Sequence, residues 1–226
     1  MDLATVARRL RDDSRSALRT ALLHRGLAQL ERTIRSGRTP NRRLCERLVR
    51  GWSNEAWSAN AALLSAILEW LPKSSGPIAE CGSGLSTLVL ATAASLSARP
   101  LHTFEHDDHW RAKVMRELPA HLGDKITISV SPLRSYGEYE WYSPDTSTLP
   151  DSIGFVLCDG PPGNVHGGRY GLAPLLGGRL ANGCLILLDD TQRPEELCIV
   201  RRWQDELKAS IIAESPTYAV LRVAHG

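Results

Sequence analysis

The sequence predicts an α/β protein, a doubly wound and mostly parallel seven-stranded sheet preceded by an N-terminal helical extension. Three observations predict it. From residue 77 onward, short apolar runs alternate with helix-patterned segments, the order that builds a parallel sheet with helices on both faces. The first 70 or so residues carry apolar positions at helical spacing and no strand pattern. Two glycines spaced G-x-G follow the first apolar run and precede residues suited to open a helix.

Taken in order, residues 3–36 read as one or two helices, broken near Ser36-Gly37-Arg38-Thr39-Pro40. A second helical block covers about 41–50, a third runs from about Asn54 to Leu71, and Pro72 to Pro77 forms a turn. The chain therefore divides into an extension over 1–72, expected to cover the substrate or to dimerise, and a ligand-binding domain over 73–226. Strands follow at Pro77–Cys81, Leu101–Glu105, Ile126–Val130, Ile153–Cys158 and Cys184–Leu188. The intervening helices are about Ser86–Ser97, Asp108–His121, Tyr170–Leu180 and Pro194–Leu207. Ala209–Ala213 and Tyr218–Val223 close the chain as two strands joined through Ser215-Pro216.

At 226 residues and 42% hydrophobic the chain buries one good core. No apolar run approaches the roughly 20 residues that span a bilayer, so no membrane partner is expected. The N-terminus lacks the apolar centre of a signal peptide. Of five cysteines none forms a C-x-x-C pair, and Cys81, Cys158 and Cys184 fall in or beside apolar runs as small hydrophobes. A reducing, cytoplasmic location is expected.

The net charge of +2 hides an asymmetry. Residues 1–50 hold thirteen arginines against five acids, while the remainder carries more acids than bases. Leu3, Val6, Ala7, Leu10, Ala17, Leu18, Ala21 and Leu22 recur through those arginines at helical spacing. The reading preferred here is an amphipathic helix packed on the core or on a second copy, as a homodimer. Nucleic-acid binding by the basic arm is the less favoured alternative.

The most informative stretch is Ile78-Ala79-Glu80-Cys81-Gly82-Ser83-Gly84-Leu85-Ser86-Thr87. A dinucleotide site places pyrophosphate on the helix N-terminus. A carboxylate at Glu80 would repel phosphate and suit a cationic amino-acid group, and Thr87 stands where a third glycine would be. The acid-x-G-x-G pattern resembles the first motif of class I S-adenosylmethionine (SAM) methyltransferases. Glu105 ends the second strand 21 residues after Gly84, the place for an acid that accepts hydrogen bonds from ribose hydroxyls. The resemblance implies a SAM site of Glu80, Gly82, Ser83, Gly84, Ser86, Glu105, His106, Ser131, Leu133 and Asp159.

The remaining strand ends point to the acceptor. Strand four ends in Asp159, followed by Gly160-Pro161-Pro162, and His166, Arg169 and Tyr170 lie in the next turn. With Asp159 these are the candidate catalytic residues: His166 as a general base, Arg169 and Tyr170 to orient an acceptor. Strand five ends in Asp189-Asp190. If strands four and five adjoin, Asp159, Asp189 and Asp190 meet and must be protonated, hydrogen-bonded or bridged by a cation, Mg²⁺ or Ca²⁺. The layout is similar to metal-dependent small-molecule O-methyltransferases, including macrocin-type sugar enzymes. The alternative is that Asp190 or Thr191 caps the following helix. The aromatic run Tyr136, Tyr139, Trp141, Tyr142 is either an acceptor wall or packing over the sheet edge.

Together these readings predict SAM-dependent O-methylation of a small molecule. The alternatives are an RNA or protein methyltransferase docking through the arginine-rich arm, and a non-methylating protein of the same fold, such as an aminopropyltransferase or a SAM-binding module.

Overall fold

The computed structural model describes residues 3–52, 59–122 and 125–224. The extension consists of α1 (Leu3–Arg35), a single continuous helix, α2 (Arg42–Trp52) packed against it, and α3 (Ala61–Trp70). The expected start of the third helix at Asn54 lies outside the described residues. Asn60 caps α3, its Oδ1 accepting from the N–H groups of Ala62 and Leu63 at 2.9 and 3.0 Å.

Of the apolar stripe expected along α1, the side chains of Leu3, Val6, Ala7 and Leu10 lie outside the described residues. Ala17, Leu18 and Ala21 are exposed, Leu22 is half-buried, and Leu23, Leu27 and Leu30 pack into the core. Close approach of α2 fixes that segment: a Cβ added to Gly51 would lie 2.6 Å from the Leu23 nitrogen.

The sheet contains β1 (Ile78–Cys81), β2 (Leu101–Glu105), β3 (Ile126–Val130), β6 (Ile153–Cys158), β7 (Leu180–Asp189), β8 (Ser210–Glu214) and β9 (Tyr218–Arg222). A separate hairpin pairs β4 (Leu133–Ser135) with β5 (Glu140–Tyr142). The sheet order is β3-β2-β1-β6-β7-β9-β8, parallel except for β9, which runs antiparallel to both its neighbours. The seven-stranded, mostly parallel sheet and its closing antiparallel pair are as predicted. The β4–β5 hairpin is not; it closes through the Tyr136 N–H donating to the Tyr139 carbonyl, with Gly137 at φ +91°.

Helices α4 (Leu85–Leu96), α5 (Asp108–Glu117), α6 (Leu172–Leu176) and α7 (Pro194–Glu206) complete the layers. Strand β6 is buried along its whole length, as a central parallel strand covered on both faces must be. Its pleat alternates between two cores. Phe155 and Leu157 face Leu88, Val89 and the extension's Leu30, whereas Val156 and Cys158 face Trp141, Leu176 and Trp203. The extension thus shares one apolar cluster with the sheet.

Element ends follow local chemistry. Helix α5 stops at Glu117, short of the predicted His121, because Leu118 precedes Pro119 and is held out of the helical region. Helix α6 has five residues instead of the predicted eleven, cut short by Gly171 before it and Gly177-Gly178 after it. Strand β7 begins at Leu180, where it pairs with Ile153, four residues before the predicted Cys184. Among the described residues no helix is long and apolar enough to cross a membrane. All five cysteines are free thiols.

Because α1 and the sheet share a core, Leu30→Ala is expected to lower the stability of the whole chain by about 2–5 kcal/mol in one transition. Urea unfolding followed by fluorescence and circular dichroism checks this; separate transitions would divide the extension from the sheet.

Candidate active site

The strand order reverses between β1 and β6, and a cavity of about 350 Å³ opens there at the C-terminal strand ends. This is where open α/β sheets bind ligands. Its walls come from the turn after β1, the ends of β2, β6 and β7, and Ala59-Asn60 at the start of α3.

The turn Gly82-Ser83-Gly84 forms one wall. Gly82 takes φ +85°, and the main chain here touches the turn after β6: a Cβ on Gly160 would lie 2.9 Å from the Gly82 Cα. Glu105 braces this turn. Its Oε2 accepts from the Ser83 N–H at 2.9 Å and the Ser83 hydroxyl at 2.7 Å, and its Oε1 accepts from the Asp107 N–H at 2.9 Å. A carboxylate has about four lone-pair sites, so Glu105, which lines the cavity, keeps acceptor capacity for a ligand. His106 lines the cavity beside it.

Glu80 sits beneath this wall. It is fully buried, does not line the cavity, and pairs in register with Thr103, whose hydroxyl donates to its Oε2 at 2.8 Å. Burial pushes its carboxyl up to about 8. Burial thus disfavours the charge on which the phosphate-repelling role assigned from sequence relied, and the side chain lies deeper than Glu105 on the same sheet face. Ser131 and Leu133 are also absent from the cavity wall: Ser131 is buried, its N–H donating to the Glu105 carbonyl at 2.7 Å.

Strands β6 and β7 adjoin, with Cys158 opposite Leu188, which brings Asp159, Asp189 and Asp190 to one edge. An oxygen from each lies within 4.8 Å of the others. The cation between them belongs to the chain. Arg169, 2% exposed, donates from Nη1 to the Asp189 carbonyl at 2.6 Å, and from Nη2 to Asp159 Oδ1 at 3.2 Å and Asp190 Oδ2 at 2.6 Å. Arg193 Nη1 lies 3.0 Å from the same Asp190 oxygen.

The local chain is shaped for this. Gly167 and Gly168 both take positive φ just before Arg169, turning it inward, and Asp190 sits at φ +63°, a region Asp tolerates better than most residues. Burial lowers the Arg169 pKa, but the negative charges around it, Asp159 foremost, together outweigh that effect and hold the guanidinium above its ordinary value. Burial raises Asp159 to about 6, opposed by Arg169. Asp189 is raised to about 8 by burial and then by the charges of Asp159 and Asp190. Its Oδ1 is buried without a hydrogen-bond partner.

The expected Mg²⁺ or Ca²⁺ would have to share these oxygens with two guanidinium groups already paired with them. The repulsion of +2 against +1 at about 4 Å, roughly 8 kcal/mol at an effective dielectric near 20, then works against the attraction of the carboxylates.

Of the other predicted catalytic residues, the structure brings neither His166 nor Tyr170 into the cavity. His166 is exposed, its carbonyl accepting from the Glu140 N–H. The Tyr170 hydroxyl donates to Glu206 at 3.0 Å and its ring lies under Arg202. The aromatic run is mainly packing: Tyr136 stacks on Tyr139, Trp141 is buried, and only Tyr142 of the four reaches the cavity wall. Sequence reasoning missed Asn60, Trp110 and Arg193. The Trp110 indole donates to the Ser83 carbonyl at 2.8 Å and stands edge-on to Trp52 of α2. The one readable signal was the charge of Arg193, three residues after Asp190.

No protein-family model matches the chain, and no curated protein is similar to it in sequence. Solved structures are similar in fold. A methyltransferase from Geobacter sulfurreducens aligns with a TM-score of 0.54 at 13% identity, over 80% of this chain and 86% of that one. A precorrin methyltransferase from Geobacter metallireducens gives 0.54 at 11% identity, over 76% and 92%. A tRNA methyltransferase from Aquifex aeolicus gives 0.53 at 12%, over 83% and 77%. The chain has the Rossmann-like methyltransferase fold.

Between about pH 5 and 8 the folded chain retains a proton at Glu80 that the unfolded chain has lost, so this group makes stability fall as pH rises, by up to about 1.4 kcal/mol per unit. Glu80→Gln should remove that slope and be more stable than the parent at pH 8. Urea titrations at both pH values measure it; an unchanged slope would return the carboxyl to its ordinary range.

Proposed function

We propose that this chain is a SAM-dependent methyltransferase acting on an oxygen of a small-molecule acceptor. The observation that carries the reading is one cavity bordered on one side by the glycine turn and Glu105 and on the other by Asp159, Asp189 and Arg169. The similarity in fold to known methyltransferases supports the donor.

The turn Gly82–Gly84 with Ser86, at the N-terminus of α4, would hold the amino-acid end of SAM, and Glu105 the ribose hydroxyls. When bound, SAM supplies a methyl carbon made electrophilic by its sulfonium, and transfer breaks the carbon–sulfur bond with the electron pair left on sulfur. Asp189 takes the proton from the acceptor hydroxyl as its oxygen becomes the nucleophile. Its place on the cavity wall and its raised pKa suit a base working near neutrality. Arg169 holds Asp159 and Asp190 in place and keeps the carboxylate cluster from repelling itself apart.

A small acceptor is favoured by the size of the cavity and by its charge. Five acids line it, Glu105, Asp107, Asp159, Asp189 and Asp190, against the guanidinium groups of Arg169 and Arg193. Such a wall suits a hydroxyl donor and opposes a polyanion such as RNA.

Calorimetric titration with S-adenosylhomocysteine tests the donor site. Binding is expected, weakened about tenfold or more in Glu105→Ala, or at least 1.4 kcal/mol. Absence of binding to the parent protein would overturn the assignment.

With an acceptor in hand, the rate should rise with pH and level off above about 8, because Asp189 works in its deprotonated form. Asp189→Asn should lower it by about 10²–10⁴ and abolish that pH dependence. A profile unchanged in Asp189→Asn would assign the proton transfer elsewhere.

A further inference from the structure

Outside the donor half of the cavity, nothing in the structure says what would cover the apolar groove between α1 and the C-terminal end of α4, whereas the arginine within the acid cluster is held by buried contacts.

We infer that Arg169 is a permanent replacement for a divalent cation, so that the acceptor half of the site excludes metal. The inference rests on the acceptor-site reading of the cavity above. Three carboxylates gathered at adjacent strand ends offer the hard oxygen donors that Mg²⁺, Mn²⁺ or Ca²⁺ take. Here Arg169 reaches all three residues of the cluster: Nη2 joins Asp159 Oδ1 and Asp190 Oδ2, and Nη1 takes the main-chain carbonyl of Asp189. The fork shape of a guanidinium makes this possible, since its N–H groups diverge to several acceptors at once. Arg193 adds a second positive group against Asp190 and approaches Glu196 Oε1 at 3.7 Å.

The position of Arg169 is fixed by the fold. It is nearly inaccessible, two successive glycines at positive φ precede it, and a Cβ on Gly167 would overlap Tyr139. A swing of the guanidinium out of the cluster would leave buried carboxylates without a counter-charge. Arg169 is therefore a positioning residue. It fixes the two aspartates beside Asp189 and leaves Asp189 Oδ1 as the acceptor without a protein partner.

Mn²⁺ is the probe, because its electron paramagnetic resonance signal reports free ion directly and needs no acceptor. Titrated into the full chain with S-adenosylhomocysteine present, Mn²⁺ should bind more weakly than about 1 mM, the weak end of oxygen-ligand sites. Arg169→Met removes the charge while keeping an unbranched side chain, and should bind Mn²⁺ at least tenfold more tightly. The double variant with Asp189→Asn should lose that gain. Arg169→Lys keeps the charge and should exclude Mn²⁺ as the parent does, which preserves a comparison if Arg169→Met fails to fold. Tight Mn²⁺ binding by the parent protein, lost in Asp189→Asn, would overturn the inference, as would a folded Arg169→Met that still excludes the ion. Calorimetry with S-adenosylhomocysteine alone separates these outcomes from failure of the donor assignment.

Discussion

Parallel pairing of β6 with β7 places Asp159 one residue beyond Cys158, and Asp189 one residue beyond Cys158's register partner Leu188, and the acceptor side of the molecule depends on the charge this concentrates. A third acid, Asp190, follows at once, and an oxygen from each of the three lies within 4.8 Å of the others. Carboxylates held this closely in a largely dehydrated place repel one another and raise one another's pKa. Arg169 resolves the conflict from inside the chain. The glycine pair before it, the left-handed turn at Asp190 and the second guanidinium at Arg193 all serve that one buried cation.

The donor side rests on contact between main chains. Gly160 has no room for a side chain beside Gly82, and Gly82 holds a positive φ, so the turn after β1 lies against the turn after β6. Glu105 then ties the first turn to the start of α5 through Ser83 and Asp107, and Trp110 returns from α5 to the Ser83 carbonyl. The buried Glu80 lies under these contacts as a neutral group bonded to Thr103. Its isolation from solvent costs stability at neutral pH, a cost the sheet's packing carries.

The extension belongs to this arrangement as well. Its helices share a core with β6 and β7, Trp52 packs against Trp110, and Asn60, the cap of α3, reaches the cavity wall. His24 with Glu117 and His121 with Glu31 fasten α1 across to α5 and the turn after it. A change in α1 or α2 can therefore be felt at the site without either helix lining the cavity.

The order of strands and helices was legible in the sequence because apolar periodicity is local, and so were the strand-end acids, because ligands of such sheets gather at carboxyl ends. Glu105, Asp159 and the Gly82–Gly84 turn are found that way. What the sequence could not decide was direction and company. Glu80 and Glu105 are both acids at strand ends and share one sheet face, yet depth along the strands leaves one in the core and the other on the cavity. His166, Arg169 and Tyr170 share one turn, and only Arg169 enters the acid cluster, because Gly167 and Gly168 rotate the chain between them. By itself the sequence determined the layered fold and the edge of the sheet where chemistry sits, since both follow from near-neighbour patterns. Only the tertiary structure decided that the acid cluster is closed by an arginine, because that depends on charges brought together from three separate turns.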